Sequence, residues 1–153
     1  MFDAIDRKIL ALLQADARTS NTEIAKQVDL VPSAVLERIR RLEKKGVIEG
    51  YTARVNPKTL GLGLAAYVSV RVQDRVGSQE TAKQLAKLPE VLEVHNIAGI
   101  DCILVKLRAA DTEDLARVLR ESFGRIHSIK STRTTVVLET VKETSALPVK
   151  ERS

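Results

Sequence analysis

The feature that most constrains the fold is the stretch 18–50, whose pattern predicts two short helices joined by a tight turn. Ser20 and Glu23 have the spacing of a capping box, in which each side chain binds the backbone amide of the other at a helix start. Pro32 suits the first turn of the second helix, where its missing N–H leaves no hydrogen bond unmade. Gly46 suits a left-handed helix end. The stretch therefore predicts a helix-turn-helix.

The second of these helices combines an apolar stripe with an opposite charged face. Val35, Ile39 and Leu42 recur at i, i+4 and i+7, which places them on one side of the helix. Five basic residues against two acidic ones lie between residues 32 and 45. A helix-turn-helix places its second helix in the major groove of DNA, with N-terminal side chains on base edges. The pattern favours DNA reading over an ordinary solvated charged face.

We predict DNA contacts at the start of the first helix and along the second. On the second helix the arginines lead, and the residues of the first turn meet base edges. Arg38 lies on the flank of this helix, where its position also suits a structural ion pair. At the start of the first helix, amides and dipole favour phosphate, although capping alone also explains Ser20. The predicted contacts are Arg18, Ser20, Asn21, Ser33, Ala34, Glu37, Arg38, Arg40, Arg41 and Lys44.

Length and composition narrow the class of protein and of partner. The chain has 153 residues, 44% of them hydrophobic and 29% charged, which predicts a folded core. A net charge of +5 is compatible with a polyanionic partner. Without Trp, and with two Phe and two Tyr, the chain lacks the aromatic residues that stack on single-stranded nucleic acid. Double-stranded DNA is the predicted partner.

Other classes of site find little support in the sequence. A single cysteine, Cys102, cannot form an internal disulfide and points to a reducing cytoplasm. No apolar run approaches the roughly 18 residues needed to cross a bilayer. His95 and His127 have no further ligand at metal spacing. We expect a soluble cytoplasmic protein with no membrane partner, no metal site, no cofactor and no catalytic residues.

The rest of the N-terminal half predicts one more helix and a connecting segment. A helix over 3–14, capped by Asp3, completes a three-helix module. Residues 47–55 alternate and predict a strand pair or wing, and Gly61 and Gly63 mark a hinge. The predicted domains are 1–50, a linker over 51–63, and 64–153. The predicted N-terminal core contains Ile9, Leu13, Ile24, Val28, Leu30, Val35, Ile39 and Leu42.

After residue 63 strands alternate with helices. We predict strands over 64–72, 91–98, 102–107 and 132–141, and helices over 78–88 and from Asp111 to just before Gly124. The order β-α-β-β-α-β matches a ferredoxin-like arrangement. Residues from Ser145 onward are polar and predict a loosely held tail. The predicted fold class is α+β: an N-terminal winged helix-turn-helix domain followed by a ferredoxin-like βαββαβ domain.

Motifs in both halves resemble the Lrp/AsnC, or feast/famine, family of transcription factors. The N-terminal motifs are Asp6-x-x-Ile9-Leu10, Glu23-Ile24-Ala25, Pro32-Ser33-Ala34-Val35 and Arg38-Ile39-x-x-Leu42-Glu43-x-x-Gly46-Val47-Ile48-x-Gly50-Tyr51. Weaker C-terminal ones are Pro89-Glu90-Val91, the turn 99–101 and Thr132-x-Thr134. The resemblance implies a transcriptional regulator that wraps or bends DNA near promoters. It also implies a homodimer, commonly assembled into an octamer, with an amino-acid effector bound between dimers of the C-terminal domain.

The resemblance assigns the effector site to Gly99, Ile100, Asp101, Thr132 and Thr134. Two positions depart from the family pattern. Val31 stands where a Ser or Thr usually caps the second helix of the motif, and it cannot accept an amide. The effector loop is one residue shorter and lacks an acid and an aromatic residue, although Asp101 can still pair with an ammonium group.

Two other functions remain open on the sequence. Sirohaem decarboxylases resemble the same family in architecture, but they use histidines in an aromatic-rich C-terminal loop, and His95 is not set among aromatic residues. A nucleoid-architectural protein would bind DNA with a small specificity ratio. We expect a sequence-specific regulator and not an enzyme.

Overall fold

The computed structural model describes residues 3–73, 75 and 78–149, and the chain divides into two compact units. One unit contains the described residues up to Arg54 together with those from Lys142 onward, and the other is Val55–Val141. Each unit has its own hydrophobic core. None of the helices in the described residues is long and apolar enough to cross a membrane.

The first unit is built on three helices, α1 (Ala4–Ala15), α2 (Asn21–Val28) and α3 (Pro32–Lys44). Their apolar stripes meet in one cluster, as the periodicity predicted. The cluster consists of Ile9, Ile24, Ala25, Val28, Val35 and Ile39, with Ile5, Leu12, Leu13, Leu30 and Ile48 packed against it. Leu42 is also buried. The predicted N-terminal core is therefore confirmed, with Leu13 and Leu30 at its half-buried margin.

The predicted helix ends are confirmed by their hydrogen bonds. Ser20 and Glu23 form the capping box of α2, with the Glu23 amide 3.2 Å from the Ser20 hydroxyl and the Ser20 amide 3.1 Å from the Glu23 carboxylate. Gly46 has φ +67 and closes α3. Its N–H donates to the Glu43 carbonyl and the Val47 N–H to the Leu42 carbonyl, both at 2.9 Å, which is the Schellman pattern.

The strand pair predicted over 47–55 is wrong, because the chain has no strand between α3 and Leu64. A strand exists through hydrogen bonds to a neighbouring strand, and this segment finds no such neighbour within the described residues. Val47 and Val55, two of its apolar residues, are exposed. Alternation along 47–55 therefore does not correspond to one buried and one solvated face.

Residues 142–149 lie with the first unit, whereas the sequence pattern placed them in the domain 64–153 and predicted a loosely held tail from Ser145 onward. The Gln14 side chain accepts the Leu147 N–H at 2.6 Å and donates to the Leu147 carbonyl at 3.0 Å. Arg54 donates to the Glu143 carbonyl at 3.3 Å. A side-chain amide has the donor and acceptor needed to satisfy both backbone groups of one residue. The tail is anchored by these hydrogen bonds.

The second unit consists of four strands and two short helices. The elements are β1 (Leu64–Val72), α4 (Glu80–Leu85), β2 (Val91–Asn96), β3 (Ile103–Ala109), α5 (Thr112–Arg117) and β4 (Ile129–Val136). The strands form one antiparallel sheet in the order β2-β3-β1-β4, and the helices α4 and α5 follow β1 and β3. The helical path after α5 continues through a π-helical turn (Val118–Ser122) and a 3₁₀ turn (Phe123–Arg125). The predicted βαββαβ order is confirmed.

The core of this unit lies on one face of the sheet. Ala66, Val68 and Val70 alternate along β1 and are fully buried, in one cluster with Leu85 and Phe123 among others. The last strand ends at Val136, earlier than predicted, because its register partner there is Ala66, close to the start of β1. The predicted helix over 78–88 is also shorter, and its Ala86 is exposed.

Candidate nucleic-acid interface

Helix α3 presents a polar face opposite its buried stripe. The stripe of Val35, Ile39 and Leu42 is buried against the first unit's core. Six of the predicted DNA contacts line one shallow concavity along this helix: Ala34, Glu37, Arg38, Arg40, Arg41 and Lys44. Ser33 is exposed in the first turn. The structure therefore brings the predicted contacts of α3 onto one continuous surface.

Two of the arginines on this surface are bound to the start of α1. Arg38 Nη1 donates to Asp3 Oδ2 at 2.8 Å and to Asp6 Oδ1 at 2.7 Å. Arg41 Nη2 lies 3.0 Å from Asp6 Oδ1 and 2.9 Å from Asp6 Oδ2. The side chain of Arg38 is 22% exposed and that of Arg41 is 47% exposed. Arg38 thus forms the structural ion pair that its flanking position suggested, while Arg41 remains half open to solvent.

Asp6 is the buried centre of this group. The residue is 1% exposed, and its carboxylate also accepts the Asp3 amide at 3.3 Å within the capping box of α1. A buried carboxylate is tolerated when it is both paired and hydrogen-bonded. The pKa of Asp3 is lowered, chiefly by the hydrogen bond from the Asp6 amide and next by Arg38. The hydrogen bonds that Arg38 donates, first to Asp3 and next to Asp6, raise the pKa of its guanidinium group.

The remaining cations of α3 are not paired in this way. Within the part of the chain that the structure describes, Arg40 and Lys44 form no ion pair, and both are exposed. Glu43, on the same helix, accepts the Tyr51 hydroxyl at 2.9 Å. Burial, and next this hydrogen bond, raise the pKa of Tyr51. Arg40 and Lys44 are therefore the side chains of α3 whose charge is most available to a polyanion.

The start of α2 lies outside the concavity, and the Ser20 hydroxyl there caps the helix. Ser20 Oγ accepts the Glu23 amide and lies 3.0 Å from Glu23 Oε2, to which it donates. The pKa of Glu23 is lowered, first by the Ser20 amide and then by this hydroxyl. A carboxylate at this helix terminus occupies amides that a phosphate would use. Arg18 and Asn21, exposed and half-buried respectively, flank the cap.

In the second unit, the turn between β2 and β3 is joined to β4 by one ion pair. Gly99 in this turn has φ +142, and Ile100 beside it is exposed. Asp101 Oδ2 accepts from Arg133 Nη2 at 2.5 Å. Thr132 and Thr134 are the register partners of Val70 and Val68 and share their face of the sheet, whereas Arg133 between them points to the opposite face. The structure therefore joins Asp101 to Arg133 and not to the two predicted threonines.

Comparison with known proteins matches both units. Residues 2–49 match a winged helix-turn-helix DNA-binding model, and residues 65–147 match the Lrp/AsnC ligand-binding domain. The leucine-responsive regulatory protein of Escherichia coli K12 is 40% identical over 98% of this chain and 93% of its own. A transcriptional regulator of Neisseria meningitidis, solved with L-methionine, superposes with a TM-score of 0.91 at 29% identity, covering 97% of each chain.

The chain belongs to the Lrp/AsnC family. A second curated relative, the HTH-type transcriptional regulator FL11 of Pyrococcus furiosus, is 39% identical over 98% of each chain. The predicted resemblance and fold class are confirmed by these matches. Like its Lrp/AsnC relatives, the chain is a DNA-binding transcriptional regulator.

Two features of this Lrp/AsnC chain were missed by the sequence reasoning. The sequence pattern predicts no partner for Asp6, which is named there only within a family motif. Asp6 lies three residues before Ile9, however, on the buried side of α1. An acid at such a position needs a counter-charge, and that requirement pointed to a cation on a neighbouring helix. Arg133 lies between two predicted effector contacts, Thr132 and Thr134, and strand alternation places it on the opposite face from both.

Proposed function

We propose that this Lrp/AsnC protein is a sequence-specific regulator that inserts α3 into the major groove of double-stranded DNA. The observation that carries the proposal is the polar face of α3, which exposes Arg40 and Lys44 opposite a fully packed stripe. A helix held by one face and charged on the other fits the geometry of a recognition helix. The short side chains of Ser33 and Ala34 at its start permit a close approach to base edges.

The proposed contacts divide into those that position the protein and those that read bases. Arg40 and Lys44 bind phosphates, whereas Arg41 offers base edges the N–H groups that Asp6 does not use. Ser33, Ala34 and Glu37 meet base edges, where the Glu37 carboxylate accepts from a cytosine amine or excludes a phosphate. Arg18 and Asn21 contact phosphate at the start of α2, and Ser20 contributes chiefly as the cap.

The test is fluorescence-anisotropy titration of the DNA upstream of the protein's own gene against scrambled DNA of equal length. We expect tighter binding to the upstream DNA and a loss of about tenfold in Arg40→Ala. Arg125→Ala, which removes an exposed arginine from the second unit, is the charge-matched control and leaves binding unchanged. Equal binding to both DNAs with steep salt dependence would favour the nucleoid-architectural function, and no binding at low salt would overturn the proposal.

We further propose that an amino acid or related small molecule binds at the turn 99–101 and regulates DNA binding. The N. meningitidis regulator was solved with L-methionine. A feast or famine regulatory protein of Mycobacterium tuberculosis was also solved with L-methionine. It is 32% identical to this chain, with a TM-score of 0.87, over 98% of this chain and all of its own. The Asp101 carboxylate suits an α-ammonium group. Gly99 and Ile100 supply backbone groups, and Thr132 and Thr134 are further proposed contacts.

Calorimetric titration with each of the twenty amino acids, beginning with L-methionine, tests this effector. We expect at least one to bind, and Asp101→Asn to weaken that amino acid about tenfold or more. Glu139→Gln removes an exposed acid of the same unit and is the matched control. Full affinity in Asp101→Asn would place the effector elsewhere.

We propose that the protein assembles as a homodimer and, with effector, as a larger oligomer such as an octamer. Leu138 and Val141, just after β4, are 98% and 92% exposed, and apolar surface of this kind favours a protein partner. Tyr67, on the sheet face opposite the helices, is also exposed. A two-fold dimer would set two α3 helices about 34 Å apart and predicts half-sites one helical turn apart. Light scattering after size-exclusion chromatography, with and without amino acids, measures the assembly, and a monomer at all concentrations would contradict it.

We infer that the protein acts in the cytoplasm, where duplex DNA is accessible, and that it has no catalytic activity. The relatives are transcriptional regulators by name, which supports a binding function. An absorbance band of a tetrapyrrole in the purified protein would instead revive the decarboxylase alternative.

A further inference from the structure

The ion-pair group at α1 links two otherwise separate tasks, helix capping and the orientation of the DNA-facing arginines. Asp6 closes the capping box of α1 and at the same time accepts from both Arg38 and Arg41 of α3. Among the described residues, the Asp6 carboxylate is the only side chain that accepts from the Arg41 guanidinium group, and it is 2% exposed. Water therefore does not compete for these bonds, and the guanidinium groups are held in one geometry.

The same contacts change how the charge of α3 is available to DNA. Asp3 and Asp6 balance Arg38 and Arg41 one for one. A cation that already has a buried anion as partner releases few counterions when it approaches phosphate, so it contributes little to non-specific affinity. The side chain of Arg38 is 22% exposed in this arrangement, whereas that of Arg41 is 47% exposed.

We propose that Asp6 is a positioning residue for DNA reading: from α1 it withholds Arg38 from phosphates and presents Arg41 in one orientation, which raises discrimination between DNA sequences. The inference rests on the proposed placement of α3 in the major groove. Base contacts specify a site, whereas freely moving cations bind any phosphate. A fixed arginine is also preorganised, so less conformational freedom is lost on binding.

The test compares wild-type protein with Asp6→Asn in salt-dependent anisotropy titrations on upstream and scrambled DNA. Asn keeps the size and the capping acceptor but removes the charge that holds the arginines. We expect affinity for scrambled DNA to rise about threefold to eightfold and the salt slope to steepen by about 0.9, because Arg41 loses its carboxylate partner whereas Arg38 keeps Asp3. The ratio of the two affinities should fall about fivefold or more. A residue with a purely structural role would lower both affinities and would leave the slope unchanged.

Asp29→Asn is the matched control, because it removes one acid from the same unit at an exposed position whose left-handed backbone Asn tolerates. It should leave the salt slope and the affinity ratio unchanged. A slope and ratio in Asp6→Asn equal to those of wild type would overturn the inference while leaving the proposed function intact. Failure of the wild-type protein to bind DNA would instead overturn the proposed function.

A second pair of variants keeps the inference testable where Asp6→Asn does not fold, which circular dichroism reports. Arg38→Met and Arg40→Met remove the same charge from neighbouring positions of α3. We expect Arg40→Met to reduce the salt slope by about 0.9 and Arg38→Met to leave it unchanged. Equal reductions in both variants would show that Arg38 is available to phosphate and would overturn the inference.

Discussion

The side-chain amide of Gln14 binds both backbone groups of Leu147, although 133 residues separate them along the chain. One helix of the DNA-binding unit thereby holds the C-terminal tail as a neighbouring strand would. The chain also passes between the two units twice, once after Arg54 and once after Val141. The tail is therefore a second covalent connection between them, and Gln14 is its anchor in the first unit.

Gln14→Ala should release the tail while leaving the three helices folded. Each lost hydrogen bond is worth roughly 0.5–1.5 kcal/mol, and both are exposed, so we expect about 1 kcal/mol in all. Hydrogen exchange at the Leu147 amide is the measurement, and its protection should disappear. Gln27→Ala, at an exposed position on α2, is the control. Unchanged protection at Leu147 in Gln14→Ala would contradict the anchoring.

Val31→Ser should stabilise the first unit by about 1 kcal/mol, because it supplies the N-cap that α3 lacks. Val31 already has extended backbone angles suitable for a cap and is 62% exposed, so no packing is lost. The midpoint of thermal unfolding reports the gain. Val55→Ser changes the same side chain at a position that is 60% exposed and begins no helix, and it should have no effect. An equal midpoint shift in the two variants would exclude capping as the cause.

Gly46→Ala should lower the free energy of unfolding by about 1–2 kcal/mol, because an L residue is strained in the left-handed conformation. A Cβ at this position meets no atom within 4 Å, so the effect is due to the backbone alone. Gly50 offers the same open space without a positive φ. Gly50→Ala is therefore the control, and urea denaturation should separate the two. Equal stabilities would show that the helix end adjusts without strain.

Acid sensitivity of the first unit should depend on Glu23. Its pKa in the folded protein lies below the ordinary value of 4.5, because the Ser20 amide and hydroxyl stabilise the carboxylate. A lowered folded-state pKa adds stability that is present above pH 4.5 and is lost as the pH falls through the folded pKa. Thermal melts at pH 7 and pH 3 should therefore differ less in Glu23→Gln, which preserves the capping box without a titrating group. Glu49→Gln, at another exposed acid, should keep the wild-type difference, and no change in Glu23→Gln would refute the assignment.

Local pattern was sufficient wherever one residue's environment depends on its near neighbours. The stripe of Val35, Ile39 and Leu42 predicted the buried side of α3, and the Ser20–Glu23 spacing predicted a cap that the structure contains. The strand predicted over 64–72 has the bounds of β1. Such features follow from helical and strand periodicity together with hydrogen bonds three or four residues apart.

Local sequence pattern did not predict the features that depend on a strand or an ion-pair partner from a distant part of the chain. Residues 47–55 alternate but have no neighbouring strand to bind, and β4 ends at Val136, opposite Ala66 near the start of its antiparallel partner β1. The position of Arg41 in the sequence predicted a free DNA contact, whereas the structure pairs it with the buried Asp6 carboxylate, 35 residues away. The family resemblance predicted the residues of the effector loop. The Asp101–Arg133 pair could not be predicted in this way, because it depends on which strands are adjacent in the sheet.

The three helices, the helix-turn-helix, the order of the second unit's elements and the residues of the charged face all follow from local sequence pattern. They depend on short-range geometry, which is the same in every chain that carries the pattern. Which of those charges are available depends on tertiary packing, because a guanidinium group binds DNA or an internal carboxylate according to what lies within about 3 Å of it. That distance depends on how α1 packs on α3, and no local pattern contains it.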